Sequence, residues 1–322
     1  MAPAASAESI VELHPSQVIE LGATNPLEKV PVVSSVALGP SGRLLATAGD
    51  DHLVRIWDAR QGQLVHRLAG HTDWVHSAVF SPDGRFLVTA GNDRQIRFWE
   101  VTAGRPFRTL PGPVQGIEVL VFSPDGRMLA AAGFEEKVRI YDGLSGKLLR
   151  VMEGPGRDAR ALAFSPDGSR LAVAGREGTI RIWDTSTGGR VHDLVGHRRR
   201  VRALAYSPDG TRLASAGDER SIRLWDAATA APLATLPARP GLVLSLAYCG
   251  PERLAAGGSD NVIRLWDLAN GTEQYHLVGH TGSVTALAWD PQAGTLVSGS
   301  FDTTVRLWQL TGNRFETISR RQ

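Results

Sequence analysis

Histidine, hydroxyl and carboxylate side chains recur in this sequence with the composition of a hydrolytic triad. In such a triad a histidine acts as general base for a serine nucleophile, and an acid orients the imidazole. Three sets share nearly the same offsets: His280, Ser298 and Asp302; His71, Thr89 and Asp93; and His197, Ser215 and Glu219. Three copies of one catalytic site in a single chain would be unusual, and the sequence has no Gly-x-Ser-x-Gly motif. The repetition therefore predicts a structural role for these residues, and we expect no catalytic residue.

The remaining chemistry-bearing residues form no cofactor or metal motif. The nine histidines lack metal-ligand spacing, and Cys249 is the only cysteine, so no cysteine pair is available for zinc. The run 143–147, GLSGK, is too short for a phosphate-binding P-loop. We expect no metal and no cofactor.

The triad-like residues lie in segments that alternate short apolar runs with tight turns. Residues 70–100 contain three runs rich in Val, Ile, Phe and Thr, separated by a Ser-Pro-Asp-Gly turn and a Gly-Asn-Asp turn, and a fourth run follows at Arg105. This pattern predicts four antiparallel strands. One such sheet cannot bury both of its faces, so it needs neighbouring sheets of the same kind.

The same pattern occurs seven times at a nearly constant period. An aromatic residue, followed in most copies by an acid, closes each unit, and an arginine stands two residues before it. The closing aromatics are 42 residues apart, with one spacing of 41: Trp57, Trp99, Tyr141, Trp183, Trp225, Trp266 and Trp308. The sequence resembles the WD-repeat family over about residues 30–320. The resemblance implies an all-β fold, a seven-bladed β-propeller of four-stranded antiparallel blades.

The resemblance also implies a role for the triad-like residues. In WD-repeat proteins the matching His, Ser or Thr, Asp and Trp form a buried hydrogen-bond network within a blade, which here adds Trp99, Trp225 and Trp308 to the three sets. Units 3 and 4 lack this network, with Ala131 and Val173 at the hydroxyl position. Two explanations stay open, namely drift buffered by packing and loops released for binding.

The termini leave the closure of the ring undecided. Residues 1–16 are small, polar and proline-containing, so we expect disorder there and a single propeller domain over residues 17–322. WD-repeat propellers commonly complete the last blade with an N-terminal strand. Either residues 17–21 or residues 314–319 can take that outermost position, and the sequence does not choose between them.

Composition argues against several classes of protein. The formal net charge of +2 gives no overall field for nucleic acid or membranes, and no apolar run is long enough to span a bilayer. The N-terminus lacks the features of a secretory signal, and a single cysteine fits a reducing compartment. We expect a cytoplasmic protein that is monomeric on its own.

One face of the predicted propeller varies between repeats. The Ser-Pro-Asp-Gly turns share one face, whereas the loops that enter the first strands and the hairpin tips before the third strands share the other. Variation on this second face is what a recognition surface would show, and aromatic and arginine side chains dominate binding energy. The positions predicted to bind a partner are Trp74, Asn92, Phe134, Arg157, Arg176, Arg198, Arg200, Leu242 and Phe301. The alternative is that these side chains fold back onto their own loops.

Arginines concentrate in one sector of that face, from Arg157 to Arg202. Guanidinium groups there could bind an acidic or phosphorylated segment of a partner. Nearby acids could instead neutralise them in a solvated ion-pair mesh: Asp158, Glu177, Asp218 and Glu219. Nucleic acid suits the sector less well, because the basic residues lack interleaved aromatics.

These observations favour a non-enzymatic scaffold that binds a protein or peptide through the variable loop face. The alternative is a propeller enzyme or small-ligand binder with its site in the central channel. Such a site would need carboxylates or histidines converging from several blades, and the sequence comparison of the repeats picks out none.

Overall fold

Each repeat forms an antiparallel sheet because its apolar runs are short and tight turns reverse the chain between them. In the computed structural model, which describes residues 10–22, 30–113, 115–238 and 240–310, seven such sheets are the blades of a β-propeller. The predicted all-β, seven-bladed fold with four-stranded antiparallel blades is confirmed, and blade 6 carries one extra strand. No helix in the described residues is long and apolar enough to cross a bilayer.

The strands are given by blade, from the channel outwards. The N-terminal strands are β1 (Val11–Leu13) and β2 (Gln17–Glu20). Blade 1 has β3 (Val33–Leu38), β4 (Leu44–Gly49), β5 (Val54–Asp58) and β6 (Gln63–Leu68). Blade 2 has β7 (Val75–Phe80), β8 (Phe86–Gly91), β9 (Gln95–Glu100) and β10 (Arg105–Pro111). Blade 3 has β11 (Ile117–Phe122), β12 (Met128–Gly133), β13 (Lys137–Asp142) and β14 (Leu148–Glu153). Blade 4 has β15 (Ala159–Phe164), β16 (Arg170–Gly175), β17 (Ile180–Asp184) and β18 (Arg190–Leu194). Blade 5 has β19 (Val201–Tyr206), β20 (Arg212–Gly217), β21 (Ser221–Asp226) and β22 (Pro232–Pro237). Blade 6 has β23 (Val243–Tyr248), β24 (Arg253–Gly258), β25 (Ile263–Asp267) and β26 (Thr272–Leu277). Blade 7 has β27 (Val284–Asp290), β28 (Thr295–Ser300) and β29 (Thr304–Gln309).

The Ser-Pro-Asp-Gly turns connect the first and second strands of blades 2 to 5. In the turn of blade 2, Ser81 Oγ donates a hydrogen bond to Asp83 Oδ1 at 2.6 Å and accepts one from the Phe86 amide at 3.0 Å. Gly84 takes a φ of 72°, a left-handed conformation that glycine adopts without steric cost. The turn therefore satisfies its own polar groups, which explains why its sequence is repeated.

The hydrophobic core lies between blades. One buried cluster joins Ile56 and Leu68 of blade 1 to Val75, Leu87 and Trp99 of blade 2, and equivalent clusters occupy the other seams. Each innermost strand lies against the innermost strand of the next blade, and β27 lies against β3. The ring is closed because every blade buries its faces against two neighbours.

An N-terminal strand completes blade 7. Strand β2 pairs antiparallel with β29, with Gln17 opposite Leu307 and Glu20 opposite Thr304. Ile19 and the following Leu21 are buried against the seam between blades 7 and 1. Of the two sequence candidates, the N-terminal run takes the outermost position, and residues 314–319 lie outside the described residues.

A second N-terminal strand adds to blade 6. Strand β1 pairs parallel with β26, with Val11 opposite Tyr275 and Leu13 opposite Leu277. The expectation of disorder over residues 1–16 is therefore wrong for residues 11–13, and residues 1–9 lie outside the described residues. The reason is local alternation, since Leu13 is buried while Glu12 between the two apolar residues is exposed. We call residues 10–22 the N-terminal clasp, because they join blades 6 and 7.

Candidate partner-binding rim

The triad-like residues form buried hydrogen-bond networks inside single blades. In blade 7, His280 Nδ1 lies 2.8 Å from Asp302 Oδ2, and His280 Nε2 lies 2.7 Å from Ser298 Oγ. The Trp308 indole N–H donates to the same Ser298 oxygen at 2.9 Å. Blade 2 repeats the arrangement with His71, Thr89, Asp93 and Trp99, and blade 5 with His197, Ser215, Glu219 and Trp225.

This geometry leaves no accessible nucleophile. Ser298 has no exposed surface, and its oxygen already accepts the indole N–H of Trp308. Burial alone would raise the pKa of Asp302, but hydrogen bonds from His280, Thr304 and the Thr281 amide outweigh it and lower that pKa. The carboxylate is therefore ionised and fixed, and the network holds the loop at Thr281 against the hairpin tip.

Blades without the network histidine differ in whether the indole N–H of the closing tryptophan has a hydrogen-bond partner. In blade 1, the Trp57 indole N–H still donates to Thr47 Oγ1 at 2.9 Å. In blade 4, Val173 stands opposite Arg181 at the position of Thr47, which stands opposite Arg55. The buried Trp183 indole N–H has no hydrogen-bond partner in the described structure. One valine thus removes the indole partner in blade 4.

Most of the arginines that precede the closing aromatics form ion pairs within their own blades. Arg55 lies 2.7 Å from Asp51, Arg139 lies 2.7 Å from Glu135, and Arg223 lies 3.0 Å from Glu219. In each pair the acid is at the hairpin tip four residues earlier. This recurrence shows that these arginines stabilise the blade tip.

A bulge in the innermost strand of every blade directs one side chain into the channel. The register of each innermost strand shifts at its second residue, which is left out of the ladder. Bulges of this kind re-aim side chains. The seven bulge residues are Ser34, His76, Glu118, Arg160, Arg202, Leu244 and Thr285, and all of them line the channel opening.

The channel opening on the loop face is a concave site of about 640 Å³, which we call the mouth. Its apolar side consists of Leu242 and Leu244 of blade 6, Phe301 of blade 7 and Trp74 of blade 2. Phe301 is 43% exposed, and the Trp74 ring lies 5.0 Å from the imidazole of His76. The mouth therefore offers apolar surface to a partner on one side.

Charged side chains of blades 2 to 5 form the other side of the mouth. Arg160 contacts Glu118 at 3.1 Å and Asp158 at 2.8 Å, and Arg200 contacts the same Asp158 at 2.6 Å. His76 Nδ1 lies 4.0 Å from Glu118, and Arg160 stands 5.4 Å from the centre of the Phe134 ring. The comparison of the repeats picks out no histidine or carboxylate for the channel, but His76 and Glu118 do line its opening, at bulge positions. Reading each innermost strand at its second residue would have found them.

The predicted partner-binding residues divide into three groups. Trp74, Asn92, Phe134, Leu242 and Phe301 line the mouth. Arg198 lines a neighbouring pocket, and Arg176 is exposed on the same face. Arg157 pairs with Glu136 at 3.0 Å, and Arg200 is tied to the buried Asp158. The ion-pair mesh considered from the sequence therefore exists for Arg200.

No group of three or more His, Cys, Asp or Glu side chains in the described residues is arranged to hold a metal ion. Cys249 is buried, and burial raises the pKa of its thiol to about 12. The thiol is therefore neutral and shielded from solvent.

Comparison with known proteins agrees with the repeat count. The family model of the WD domain, G-beta repeat, matches seven segments: residues 27–58, 62–100, 104–142, 146–184, 188–226, 230–267 and 271–309. The chain is 46% identical over 43 residues, 13% of its length, to a probable serine/threonine-protein kinase, PkwA, of Thermomonospora curvata. It is 42% identical over 45 residues, 14% of its length, to the DENN domain and WD repeat-containing protein SCD1 of Arabidopsis thaliana. The matched segments make up 6% and 4% of those two proteins. Because the repeat model covers most of the chain and each repeat corresponds to one blade, the chain belongs to the WD-repeat family.

Proposed function

We propose that this protein is a non-enzymatic scaffold that binds a protein or peptide partner at the mouth and the surrounding loop rim. WD-repeat propellers typically act as protein-interaction scaffolds. The observation that carries the proposal is that side chains differing between repeats converge on one concave site. Residues shared between repeats are instead buried in blade networks, where they serve the fold.

The mouth combines the two features of a protein-recognition site. Half-exposed apolar side chains such as Phe301 can anchor a partner, because aromatic residues in such pockets supply much of the binding energy. The facing charges are pre-arranged, since Glu118, Arg160 and Asp158 hold one another in place. A polar partner group therefore meets donors and acceptors whose positions are already fixed.

A small-ligand site is the second candidate, because the mouth has the volume of a ligand pocket. His76 and Glu118 are the groups there that could act as acid or base, and Glu118 is engaged by Arg160. This pairing favours recognition over catalysis. A partner that is a folded protein should bury the loop tips at Asn92 and Phe301 as well, whereas a small ligand should protect only the channel walls.

Binding experiments with matched variants test the proposal. The double variant Trp74→Ala/Phe301→Ala removes two anchors of the mouth, and Leu144→Ala removes an apolar side chain that is 64% exposed in a turn on the opposite face. Partners recovered by affinity capture and identified by mass spectrometry are purified, and their affinities are measured with each variant. We expect at least a tenfold loss with the double variant and none with Leu144→Ala. The reverse pattern would place the binding face on the other side.

We further propose a monomer in isolation, a cytoplasmic location and no direct role in nucleic-acid binding. The small net charge and the concentration of arginines in one sector of the loop face support the last point. Sedimentation velocity, cell fractionation and titration with single-stranded oligonucleotides test these three statements.

A further inference from the structure

Four arginines on the rim of blades 4 and 5 have no acidic partner within the described residues. They are Arg176, Arg198, Arg199 and Arg220, and all four are exposed. The arginines nearer the channel differ, since Arg160 and Arg200 share the buried Asp158 and Arg202 pairs with Asp218. Positive charge is therefore balanced at the mouth and in excess just outside it.

A blade does not need these arginines in order to fold. At the position of Arg198, the two other repeats with a Gly-His pair carry Thr72 and Thr281. At the position of Arg176, the other repeats carry Asp, Asn, Phe or Ser. Arg198 and Arg176 are therefore features of this sector and not of the repeat.

Three of the free arginines surround one pocket of about 420 Å³, which we call the arginine pocket. Its lining is Arg198, Arg199, Arg220, Asp218, Glu219 and Leu242. Both acids of the lining are already engaged. Asp218 binds Arg202, while Glu219 binds Arg223 at 3.0 Å and His197 at 2.6 Å and accepts the Arg198 amide at 2.9 Å.

The charge state of Glu219 supports this division of roles. Burial would raise its pKa, but hydrogen bonds from the Arg198 amide and from Arg223, together with the charge of His197, lower that pKa to about 2. Glu219 is therefore an ionised acceptor directed at its own blade. The guanidinium groups of the pocket keep their donors for an outside anion.

The arginine pocket and the mouth are contiguous. Leu242 lines both of them, and Leu244 and Phe301 continue the apolar surface into the mouth. An extended peptide can therefore place a charged side chain in the arginine pocket and an apolar side chain beside Leu242 without turning. The two sites are adjacent parts of one groove.

Resting on the function proposed above, we propose that the partner presents a phosphorylated serine or threonine to the arginine pocket and an apolar side chain to the mouth. Three guanidinium groups offer more donors than one carboxylate can accept, whereas a phosphate has three acceptor oxygens and a charge near −2. A guanidinium group can donate two parallel hydrogen bonds to two oxygens of such an anion. The phosphate supplies selectivity, and the apolar contact supplies affinity that does not depend on phosphorylation.

The test uses a fluorescent peptide array in which one leucine stands one to five residues from a phosphoserine in a Gly-Ala background. Matched peptides carry serine or glutamate in place of the phosphoserine. We expect the phosphopeptides with the best spacing to bind the full chain at least tenfold more tightly than either counterpart. The double variant Arg198→Ser/Arg199→Ser should remove this preference, and Arg60→Ser, in an exposed turn on the opposite face, should not.

Salt separates the two contacts. The advantage of the phosphopeptide should shrink as salt rises, because the contact is electrostatic. Leu242→Ala should weaken phosphorylated and unphosphorylated peptides by the same factor at every salt concentration. A phosphate preference that survives the double arginine variant would overturn the proposal, and so would tighter binding of single-stranded RNA than of any phosphopeptide.

Failure here is distinguishable from failure of the proposed function. If a purified partner binds the mouth, loses affinity with Trp74→Ala/Phe301→Ala and is indifferent to Arg198→Ser/Arg199→Ser, the scaffold function stands and the phosphate site is wrong. If no partner responds to the mouth variant, the scaffold function at this face is itself refuted.

Discussion

Blade 4 offers a direct test of what the buried hydroxyl contributes to a repeat. Val173 has no exposed surface and occupies the place that Thr47 fills in blade 1. Valine and threonine have nearly the same shape, so Val173→Thr should introduce a hydroxyl beside the Trp183 indole without overpacking the blade. The substitution copies the pair of Thr47 and Trp57, which needs no histidine.

The expected change in the free energy of unfolding follows from the missing hydrogen-bond partner of the Trp183 indole N–H. A buried N–H without a partner costs about 1–3 kcal/mol, and an added hydrogen bond typically returns about 0.5–1.5 kcal/mol. We expect Val173→Thr to raise the free energy of unfolding by about 0.5–1 kcal/mol after the cost of burying the new hydroxyl. The reverse change, Thr47→Val, leaves the Trp57 N–H unsatisfied and should lower it by about 1–3 kcal/mol.

Equilibrium urea denaturation followed by tryptophan fluorescence measures both changes. Val297→Thr is the control, because this valine is equally buried but packs in the seam between blades 7 and 1, on the opposite face of its sheet from the Trp308 indole, which has Ser298 as its partner. It should destabilise by about 1–3 kcal/mol, since its hydroxyl gains no indole. If Val173→Thr destabilises the protein as much as Val297→Thr does, the hydrogen-bond reasoning about blade 4 is refuted.

Three further predictions address the clasp, the rim and the acid-sensitive network. Ile19→Ala should lower the free energy of unfolding by about 2–5 kcal/mol, because Ile19 is buried at the closing seam. Val18→Ala, on the exposed face of the same strand, should change it by less than about 0.5 kcal/mol. Equal effects of the two variants in chemical denaturation would show that β2 does not stabilise the closed ring. Arg200→Ser should lower the free energy of unfolding by about 1–3 kcal/mol, because it removes one of the two guanidinium partners of the buried Asp158. Arg198→Ser should leave it nearly unchanged, and differential scanning calorimetry can compare the two variants. The free energies of unfolding of wild type and Glu219→Gln should converge as the pH falls from about 5 to about 2. Folding lowers the pKa of Glu219, so its carboxylate stabilises the protein above the unfolded pKa of about 4.3, and this contribution is lost as the pH falls through the folded pKa. A difference in the free energy of unfolding that stays constant down to pH 2 would contradict this.

The repeat made most of the fold predictable. Seven closing aromatics at nearly constant spacing predict seven antiparallel blades, which agrees with the structure. The N-terminal clasp was only partly predictable, because Val11, Glu12 and Leu13 are too short a run to stand out from a polar terminus. Their strand forms because the edge of β26 and Leu277 are already in place, which is tertiary information.

The candidate site was harder to predict, for a different reason. Loop positions such as Trp74 and Phe301 were found because they vary between repeats next to an obvious motif. The bulge residues lie inside strands that read as ordinary alternation, and only the register shift reveals that they leave the ladder. Pairing between blades, such as that of Asp158 with Arg200, joins residues 42 positions apart and is not visible in any one repeat.

Blades 3 and 4, which lack the histidine network, supply Glu118, Asp158 and Arg160 to the charged side of the mouth. Where the network is present, its carboxylate also accepts a loop amide, as Asp302 does from Thr281 at 2.9 Å, so the loop entering the first strand is held against the hairpin tip. Blade 4 has no such hold. There the entering loop places Asp158 in a left-handed conformation, with a φ of 60°, between Arg160 and Arg200 of the next blade. A buried carboxylate without partners would cost several kcal/mol, and the contacts of Asp158 with Arg160 and Arg200 offset that cost. Without the hold of the network, this loop supplies the carboxylate that ties Arg160 of blade 4 to Arg200 of blade 5 at the rim.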